Sequence, residues 1–427
     1  MTPVKTGRKF HHKSRYGCAP CKQRRIKCDE KKPVCNNCVR RSVDCSFKYS
    51  EPTGTTISVP APLSHSLRAL PFCRGNTRDL ELWCHFQIYT APTFHYPPSV
   101  EKLFQQEFPR LATTFPFLGH GLLSIGYIHL AGLSQGTSRK LLAEGAFHVN
   151  KALPAYLETI QNITKENSAA LFGFALFVVL FTFADVSEQC AFFLRHIKDN
   201  PSKEAEATRG LAKAAAQIPR SIHNIFGIFW RCQQWISSGP LSAVIQRYGS
   251  PTLSEPLMFW IGVEDDHLAR LGRLWVDDPA ILPANSCVLS DALSSLRDTF
   301  AMVTQLTDVP SLINHGDGET ATWSSDLVEI HRHLSTGRLD DIPSPFTWYI
   351  RLSPDFISMV EKGSVYAMVI LAHHAILLER ACCERWWTHR LPYYCVAMAE
   401  LILGQERRGW IEWPLMVVAE RQTHRIN

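Results

Sequence analysis

Acidic residues are almost missing from the first 50 positions of this 427-residue chain, which hold three Asp and Glu but 14 Lys and Arg. The net charge of this segment is +11, whereas the rest of the chain carries −5. A segment this basic is typical of one that binds a polyanion, and it precedes a remainder close to neutral. The overall charge of +6 conceals the division.

The N-terminus also lacks the apolar run of a secretory signal peptide, since residues 1–12 are polar and basic. Cysteine is scarce outside residues 18–45, where six of the 14 lie, and this excludes a disulfide-rich secreted protein. Apolar residues make up 45% of the sequence, which excludes a disordered chain. The uncharged stretch 167–184 reaches the lower length limit of a membrane span. Its interspersed Asn, Ser, Gly and Thr favour a buried helix, so we expect no membrane partner.

The clustered cysteines repeat the spacing Cys-x2-Cys-x6-Cys, and they are Cys18, Cys21, Cys28, Cys35, Cys38 and Cys45. A Cys-x2-Cys pair can close on one tetrahedral metal ion. Six thiolates cannot fill two separate tetrahedral sites, which need eight, so two Zn²⁺ ions, if both bind, must share two sulfurs. We assign the shared positions to Cys18 and Cys35. A disulfide knot would need an oxidising compartment, and a metallothionein-like buffer would carry far more cysteine.

Residues 16–46 closely resemble the fungal Zn₂Cys₆ binuclear cluster DNA-binding domain, in the cysteine spacing and in the basic run KQRRIKCDEKKPVC. The resemblance implies two Zn²⁺, bridging first and fourth cysteines, a short helix and an extended strand in each half, and Pro33 in the loop. It also implies a nuclear protein whose partner is double-stranded DNA. In that family the third and fourth residues after the second cysteine touch a CGG triplet, and here these are Arg24 and Arg25. On a helix, Arg24 and Lys27 would lie three residues apart.

Other basic side chains of this segment are expected to contact phosphates, which position a domain without selecting sequence. They are Lys22, Lys27, Lys31, Lys32, Arg40 and Arg41. The same basic run can serve as a nuclear localisation signal.

The chain divides into a basic arm (1–15), the zinc-organised segment (16–46), a linker rich in Pro, Ser, Thr and Gly (47–76) and an all-α regulatory domain (77–427). The linker has no apolar heptads, so the chain is either a monomer or a homodimer joined through its C-terminal domain. Helical periodicity and caps predict the following helices: one opening at Thr77, then 118–133, 138–153, 167–184, 225–236, 291–305, 323–334, 354–378 (capped by Ser353) and 392–403. The charged, Ala-rich stretch 190–217 reads as an insert, either a helix, a loop or an error of gene prediction.

Several segments of the C-terminal domain resemble the regulatory domain of sterol-uptake-control-type transcription factors, a fungal group that includes regulators of secondary-metabolite gene clusters. These segments are RDLELWCHF, PFLGHGLLSIGYIHLA, NKALPAYLETIQNITKENSAALFGFA, VILAHHAILL, WW and WIEWP. The resemblance implies an apolar small-molecule ligand near the C-terminal helices. The corresponding residues are Met368, Ile370, Leu371, Ala375, Trp386, Trp387, Trp410 and Trp413. Their helical spacing favours core over pocket, so no ligand residue is assigned.

Two other classes of function compete with a DNA-binding transcription regulator. An enzyme would draw on His373 and His374, His331 and His333, or Cys382 and Cys383, but no motif such as H-E-x-x-H accompanies them, and we expect no enzyme. A zinc-stabilised protein-interaction module would not need the basic run around Arg24 and would lack salt-dependent affinity for duplex DNA.

Overall fold

The protein folds as two compact units, one within residues 1–68 and one within 69–427. This computed structural model describes residues 17–31, 34–46, 77–94, 98–134, 138–242, 254–309, 324–339, 341, 343–382, 386–388 and 390–424. We call residues 17–46 the head and residues 77–424 the body. The predicted arm (1–15) and linker (47–76), together with Lys32 and Pro33, lie outside the described residues.

The head contains two short helices, α1 (Ala19–Gln23) and α2 (Asn36–Val39). Each begins directly after a cysteine whose backbone is extended, and Pro20 favours the first turn of α1. The core consists of the six cysteines, with Val34 and Val43 packed against them. So small an apolar core cannot stabilise a fold of this size by burial alone, so metal ligation must supply folding free energy.

The body is helical, as the sequence predicts. Its helices are α3 (Thr77–His85), α4 (Pro98–Lys102), α5 (Phe108–Thr114), α6 (Pro116–Leu133), α7 (Ser138–Thr159), α8 (Lys165–Asp199), α9 (Glu204–Ser238), α10 (Glu255–Leu271), α11 (Arg273–Val276), α12 (Pro283–Leu306), α13 (Leu327–Thr336), α14 (Thr347–Arg351), α15 (Pro354–Glu361), α16 (Val365–Cys382), α17 (Leu391–Leu403) and α18 (Glu412–His424). Single π-helical or 3₁₀ turns connect them at Phe86–Thr90, Ala91–Phe94, Leu103–Glu107, Pro201–Lys203, Ser344–Phe346 and Arg408–Ile411. Two antiparallel two-residue strands, β1 (Thr307–Asp308) and β2 (Arg338–Leu339), also occur.

Side-chain caps fix where several of these helices begin. The predicted Ser353 cap of α15 is confirmed, since its hydroxyl accepts from the Phe356 amide at 3.2 Å. The Asp326 carboxylate accepts from the second and third amides of α13. A capping box joins Thr164 and Asn167 at the start of α8. Each cap satisfies backbone amides that the helix itself leaves unpaired.

Helix α8 runs through the centre of the body and packs against α6, α7, α9 and α17. It is long and apolar enough to cross a membrane, yet 67% of its most apolar window is buried inside the protein. Such burial is the property of a core helix, in agreement with the interpretation of residues 167–184 given above.

Several predicted boundaries differ from the structure: 138–153 continues to Thr159 in α7, 291–305 begins earlier, at Pro283, in α12, and 323–334 begins at Leu327 in α13. The stretch 190–217 contains a tight connection between two helices, because α8 continues to Asp199 and α9 begins at Glu204 after a single 3₁₀ turn. The two helices pack along their lengths. The ring of Phe193 lies directly against Gly210, where the absence of a Cβ permits close approach. The expected single helix 354–378 is in fact α15 and α16, bent by 101°. Gly363 lies between them at φ +70°, a left-handed conformation that ends α15.

Candidate metal centre and nucleic-acid interface

The six sulfurs of the head form two groups of four with two members in common. In each group the sulfurs lie within 4.8 Å of one another. The groups are Cys18, Cys21, Cys28 and Cys35, and Cys18, Cys35, Cys38 and Cys45. The Sγ atoms of Cys18 and Cys35 are 3.6 Å apart, and Cys18–Cys38 and Cys21–Cys35 are each 3.7 Å.

These distances test whether the donor set fits zinc. Two thiolates on one tetrahedral Zn²⁺, with bonds of ~2.3 Å, lie ~3.8 Å apart. The measured separations match that spacing and far exceed the ~2.05 Å of a disulfide. Six soft sulfur donors in two overlapping tetrads suit two Zn²⁺ ions that share a pair of thiolates, as the sequence predicts.

Because these sulfurs are buried, their thiolate forms need a nearby cation to be stable. All six cysteines are at most 2% exposed. Burial raises the pKa of Cys18, and raises that of Cys21 to about 12, because a thiolate is poorly solvated there. For Cys28, burial is outweighed by the amides of Cys18 and Glu30, which donate to its Sγ at 3.5 and 3.4 Å and lower its pKa. A bound metal would supply the positive charge that the other thiolates need.

The two halves of the head repeat each other at an offset of 17 residues, which relates Cys18 to Cys35, Cys21 to Cys38 and Cys28 to Cys45. The backbone conformation repeats at the same offset of 17 residues. Arg25 has φ +55° and Ser42, 17 residues later, has φ +51°. Each follows the short helix of its half and turns the chain toward the third cysteine of that half. The repetition of a left-handed residue at equivalent positions indicates that the turn belongs to the fold.

Each half caps the helix of the other. The Asp29 carboxylate accepts from the first amide of α2, that of Asn36, at 3.1 and 3.2 Å. Seventeen residues later, the Ser46 hydroxyl accepts from the first amide of α1, that of Ala19, at 2.8 Å. Asn37 adds a third link, because its Nδ2 donates to the Lys27 carbonyl at 2.8 Å. The halves are therefore tied by hydrogen bonds as well as by shared sulfurs.

The basic side chains of the head differ from the expected helical arrangement. Helix α1 ends at Gln23, so Arg24 is its C-cap, Arg25 adopts the left-handed turn, and Lys27 lies beyond it. The helix stops early because the turn must bring Cys28 back to the metal site. The residues predicted to contact DNA are nevertheless exposed wherever they are described, namely Lys22, Arg24, Arg25, Lys27, Lys31, Arg40 and Arg41. Lys32 is not among the described residues.

The histidines considered above as enzyme candidates make structural contacts in the body. His373 and His374 are fully buried, and their rings donate to the carbonyls of Val369 and Pro345, each at 2.8 Å. His331 bonds to Ser335 at 3.0 Å and lies 3.4 Å from Nε of Arg380. Arg380 forms a buried ion pair with Glu264, which anchors this cluster. His333 is half-buried and stacks on the ring of Trp260 at a centroid distance of 5.5 Å. The side chains of Cys382 and Cys383 are outside the described residues.

Most residues considered for a ligand pocket belong to the core, as their spacing indicates. Five of them are at most 3% exposed: Met368, Ile370, Leu371, Ala375 and Trp413. Trp410 stacks on the ring of Tyr366 at a centroid distance of 5.7 Å. Trp386 and Trp387 differ, because they line an open cleft. Sequence periodicity could not separate them from the core residues, since they precede α17 rather than lie on a helix face.

Comparisons with known proteins agree with this geometry. Residues 16–55 match the fungal Zn(2)-Cys(6) binuclear cluster domain. The Zn(2)-C6 fungal-type transcription factor afumD of Aspergillus fumigatus is 31% identical over 125 residues, 28% of this chain and 34% of that protein. A Zn(2)-C6 fungal-type transcription factor of Gibberella zeae is 26% identical over 223 residues, 39% of this chain and 45% of that protein. Sterol uptake control protein 2 of Candida albicans is 55% identical over 42 residues, 10% of this chain and 6% of that protein.

The chain spans less than half the length of each of these relatives. They are named as transcription factors or as a control protein, and none of the three carries the name of an enzyme. The match to the sterol uptake control protein is too short to cover the body, so the resemblance of the body to that group stays a prediction. With its paired sulfur tetrads and its family match, the head of this chain is a fungal Zn(2)-Cys(6) binuclear cluster domain.

Proposed function

We propose that this protein is a sequence-specific DNA-binding transcription regulator that acts in the nucleus. The observation that carries the proposal is the head itself, in which overlapping cysteine tetrads hold exposed arginines on an adjoining turn. The transcription factors that match the chain support the same activity. Because residues 1–50, which include the head, carry a net charge of +11, the partner that fits them is the phosphate backbone of duplex DNA.

The metal site is proposed to hold two Zn²⁺ ions with Cys18 and Cys35 as bridging ligands. Cys21 and Cys28 complete one ion, and Cys38 and Cys45 complete the other. Membership of Cys18 and Cys35 in both tetrads supports this division. The zinc ions supply folding free energy and neutralise the buried thiolates, while the protein's own residues contact the DNA.

Base recognition is proposed for Arg24 and Arg25, which lie at the end of α1 with exposed side chains. Arginine can donate two parallel hydrogen bonds to O6 and N7 of guanine, so a CGG-like site is the expected target. Phosphate contacts are proposed for the remaining basic residues of the head, namely Lys22, Lys27, Lys31, Lys32, Arg40 and Arg41.

A pair of glycine variants tests the base contact apart from folding. Arg25→Gly and Ser42→Gly both relieve a left-handed backbone, worth about 1 kcal/mol or more at each position. Both variants should therefore bind zinc at least as tightly as the wild type. Only Arg25→Gly should lower the preference for a CGG duplex over a scrambled one, by about 1–3 kcal/mol. Fluorescence anisotropy with the two duplexes measures this difference.

The outcome that contradicts the assignment is an equal loss of preference in both glycine variants, or no loss in either. Lys27→Ala serves as a comparison for phosphate contacts. It should weaken binding to both duplexes alike. It should also lower the slope of log affinity against log salt concentration by about one. A zinc-stabilised protein-interaction module, the alternative of another class, predicts no salt-dependent duplex affinity at all.

For the pathway, we propose control of a secondary-metabolite gene cluster, which the resemblance of the body to that group of regulators supports. The alternative is a sterol- or lipid-responsive factor that binds an apolar small molecule and controls lipid genes. Genome-wide occupancy separates them, because peaks within one biosynthetic cluster favour the first and peaks at lipid genes the second. The body is also proposed to provide the contact of a homodimer, which analytical ultracentrifugation of the full chain tests.

A further inference from the structure

A cleft of about 1250 Å³ opens on the surface of the body. It is lined by the end of α6, the start of α7, the C-terminal part of α8, the segment Trp386–Thr388 and α17. The volume exceeds the ~300–1,000 Å³ of usual small-molecule sites. Its lining residues range from Ile128 to Gln405 along the chain, and the fold alone brings them together.

One wall of the cleft is aromatic and already fixed in place. The Trp386 indole donates to the Thr93 hydroxyl at 2.8 Å and packs on the ring of His129, with 4.9 Å between centroids. Trp387 stacks nearly parallel to Phe183 at 6.2 Å and 16°. Because both indoles are held by neighbours, an apolar ligand could pack on them without a cost for ordering the side chains.

The rim of the cleft carries charges of both signs, and two of its carboxylates are already paired. Glu188 lies 3.4 Å from the guanidinium of Arg195. Glu400 pairs at 2.7 Å with Arg408, which is not part of the lining. Glu204 is the third carboxylate of the lining. With Glu188 and Glu400 already paired, Glu204 is the carboxylate of the lining that remains to balance its other cations.

Three other cations line the cleft, namely Arg139, Lys198 and Arg390. Within the described part of the chain, no carboxylate lies within ion-pair distance of any of them. Arg139 instead lies over the ring of Phe192, 4.6 Å from its centroid. All three side chains are exposed, so an anion could reach them from the mouth of the cleft.

A buried hydroxyl points to a polar group on the occupant. Thr388 lines the cleft and is 2% exposed, and among the described residues its Oγ1 has no hydrogen-bond partner. Buried polar atoms without partners are rare and costly in native proteins. A ligand with an acceptor near this point would satisfy the hydroxyl.

We propose that the cleft binds an amphipathic organic anion, with its apolar or aromatic body on Trp386 and Trp387 and its acidic group among Arg139, Arg390 and Thr388. A neutral sterol would fill the apolar part but leave the rim cations uncompensated. The inference deepens the ligand-responsive part of the proposed function, although binding at this cleft does not require DNA binding by the head.

Two fluorescent probes that share one ring system test the anion requirement. 8-Anilino-1-naphthalenesulfonate carries the acidic group, and N-phenyl-1-naphthylamine lacks it. The full-length chain should bind the sulfonate more tightly. The double variant Arg139→Gln/Arg390→Gln should raise the Kd of the sulfonate about tenfold and change that of the neutral probe less than about twofold, since only ionic contacts are lost.

The matched control is Arg209→Gln/Arg273→Gln, which removes the same charge from exposed positions outside the lining and should leave both Kd values unchanged. The inference is wrong if the cleft variant binds the sulfonate as tightly as the wild type, or if both probes weaken equally. Duplex DNA affinity is measured on the same samples. DNA binding without the sulfonate effect overturns this inference alone, and the reverse result overturns the proposed function alone.

Discussion

At the scale of single residues, the adjacent His373 and His374 show how burial in the body lowers the pKa of a histidine. Both rings are fully buried, and burial lowers the pKa of His373 to about 3 and that of His374 to about 4. His374 also lies against the ring of Trp348, with 4.4 Å between centroids. A histidine in an unfolded chain titrates near ~6.5, so the unfolded state takes up protons first as the pH falls. The free energy of unfolding therefore decreases from about pH 6.5 to about pH 4.

Substitution His374→Gln should flatten this pH dependence. The Gln amide can still donate to the Pro345 carbonyl, which His374 reaches at 2.8 Å, but it does not titrate. Between pH 7 and pH 5 the wild type should lose about 2 kcal/mol more unfolding free energy than the variant. Urea denaturation followed by circular dichroism at the two pH values measures the difference. Equal losses in the two proteins would show that His374 is not the titrating group.

At the scale of helices, close packing of α8 depends on small residues at particular contacts. A Cβ added at Gly173 would lie 2.6 Å from the ring of Phe108. A Cβ added at Gly227 of α9 would meet nothing within 4 Å of it among the atoms described. Both glycines lie in helix interiors, so alanine has the same propensity advantage at each position, and only the packing differs.

The two alanine variants should therefore have opposite effects. Gly173→Ala should destabilise the body by about 1–3 kcal/mol through overpacking, while Gly227→Ala should stabilise it by up to about 1 kcal/mol. Thermal unfolding of the two variants beside the wild type provides the measurement. Stabilisation by both would mean that α8 does not pack as tightly as the contact with Phe108 indicates.

Apolar periodicity predicted the helices of the body because each has one face in the core, and caps such as Ser353 are local signals. The boundary of α8 was not predicted, because the deciding contact lies on another helix. Residues 190–199 extend α8 because they pack on α9, and no pattern within that stretch reports the partner helix. In the head, cysteine spacing encodes the metal site directly. The left-handed turn at Arg25 was not predicted, because it arises from closing the chain around the metal.

At the scale of the whole molecule, the two units depend on different sources of stability. The head has a core of cysteines with Val34 and Val43, whereas the body buries large side chains such as Trp275 and Trp348. Structural zinc contributes roughly 10–16 kcal/mol of apparent binding free energy in small domains. Apolar burial alone stabilises a helical unit of the size of the body.

Removal of zinc should consequently affect one unit only. An excess of a strong zinc chelator should abolish sequence-specific DNA binding and leave the thermal transition of the body within a few degrees of its original midpoint. Anisotropy and far-UV circular dichroism on one sample record both results. Specific DNA binding that persists in the chelator, or loss of the body's transition, would contradict this separation.

The reciprocal caps of the head also decide how short a zinc-binding peptide can be. A peptide cut after Cys45 keeps all six sulfurs but lacks Ser46, whose hydroxyl accepts from the Ala19 amide at 2.8 Å. The first amide of α1 would then need water as its acceptor, at the start of the helix that precedes Arg24 and Arg25, the two residues proposed to contact bases. The shortest peptide that keeps both helix caps therefore ends at Ser46, one residue beyond Cys45, the last of the six cysteines.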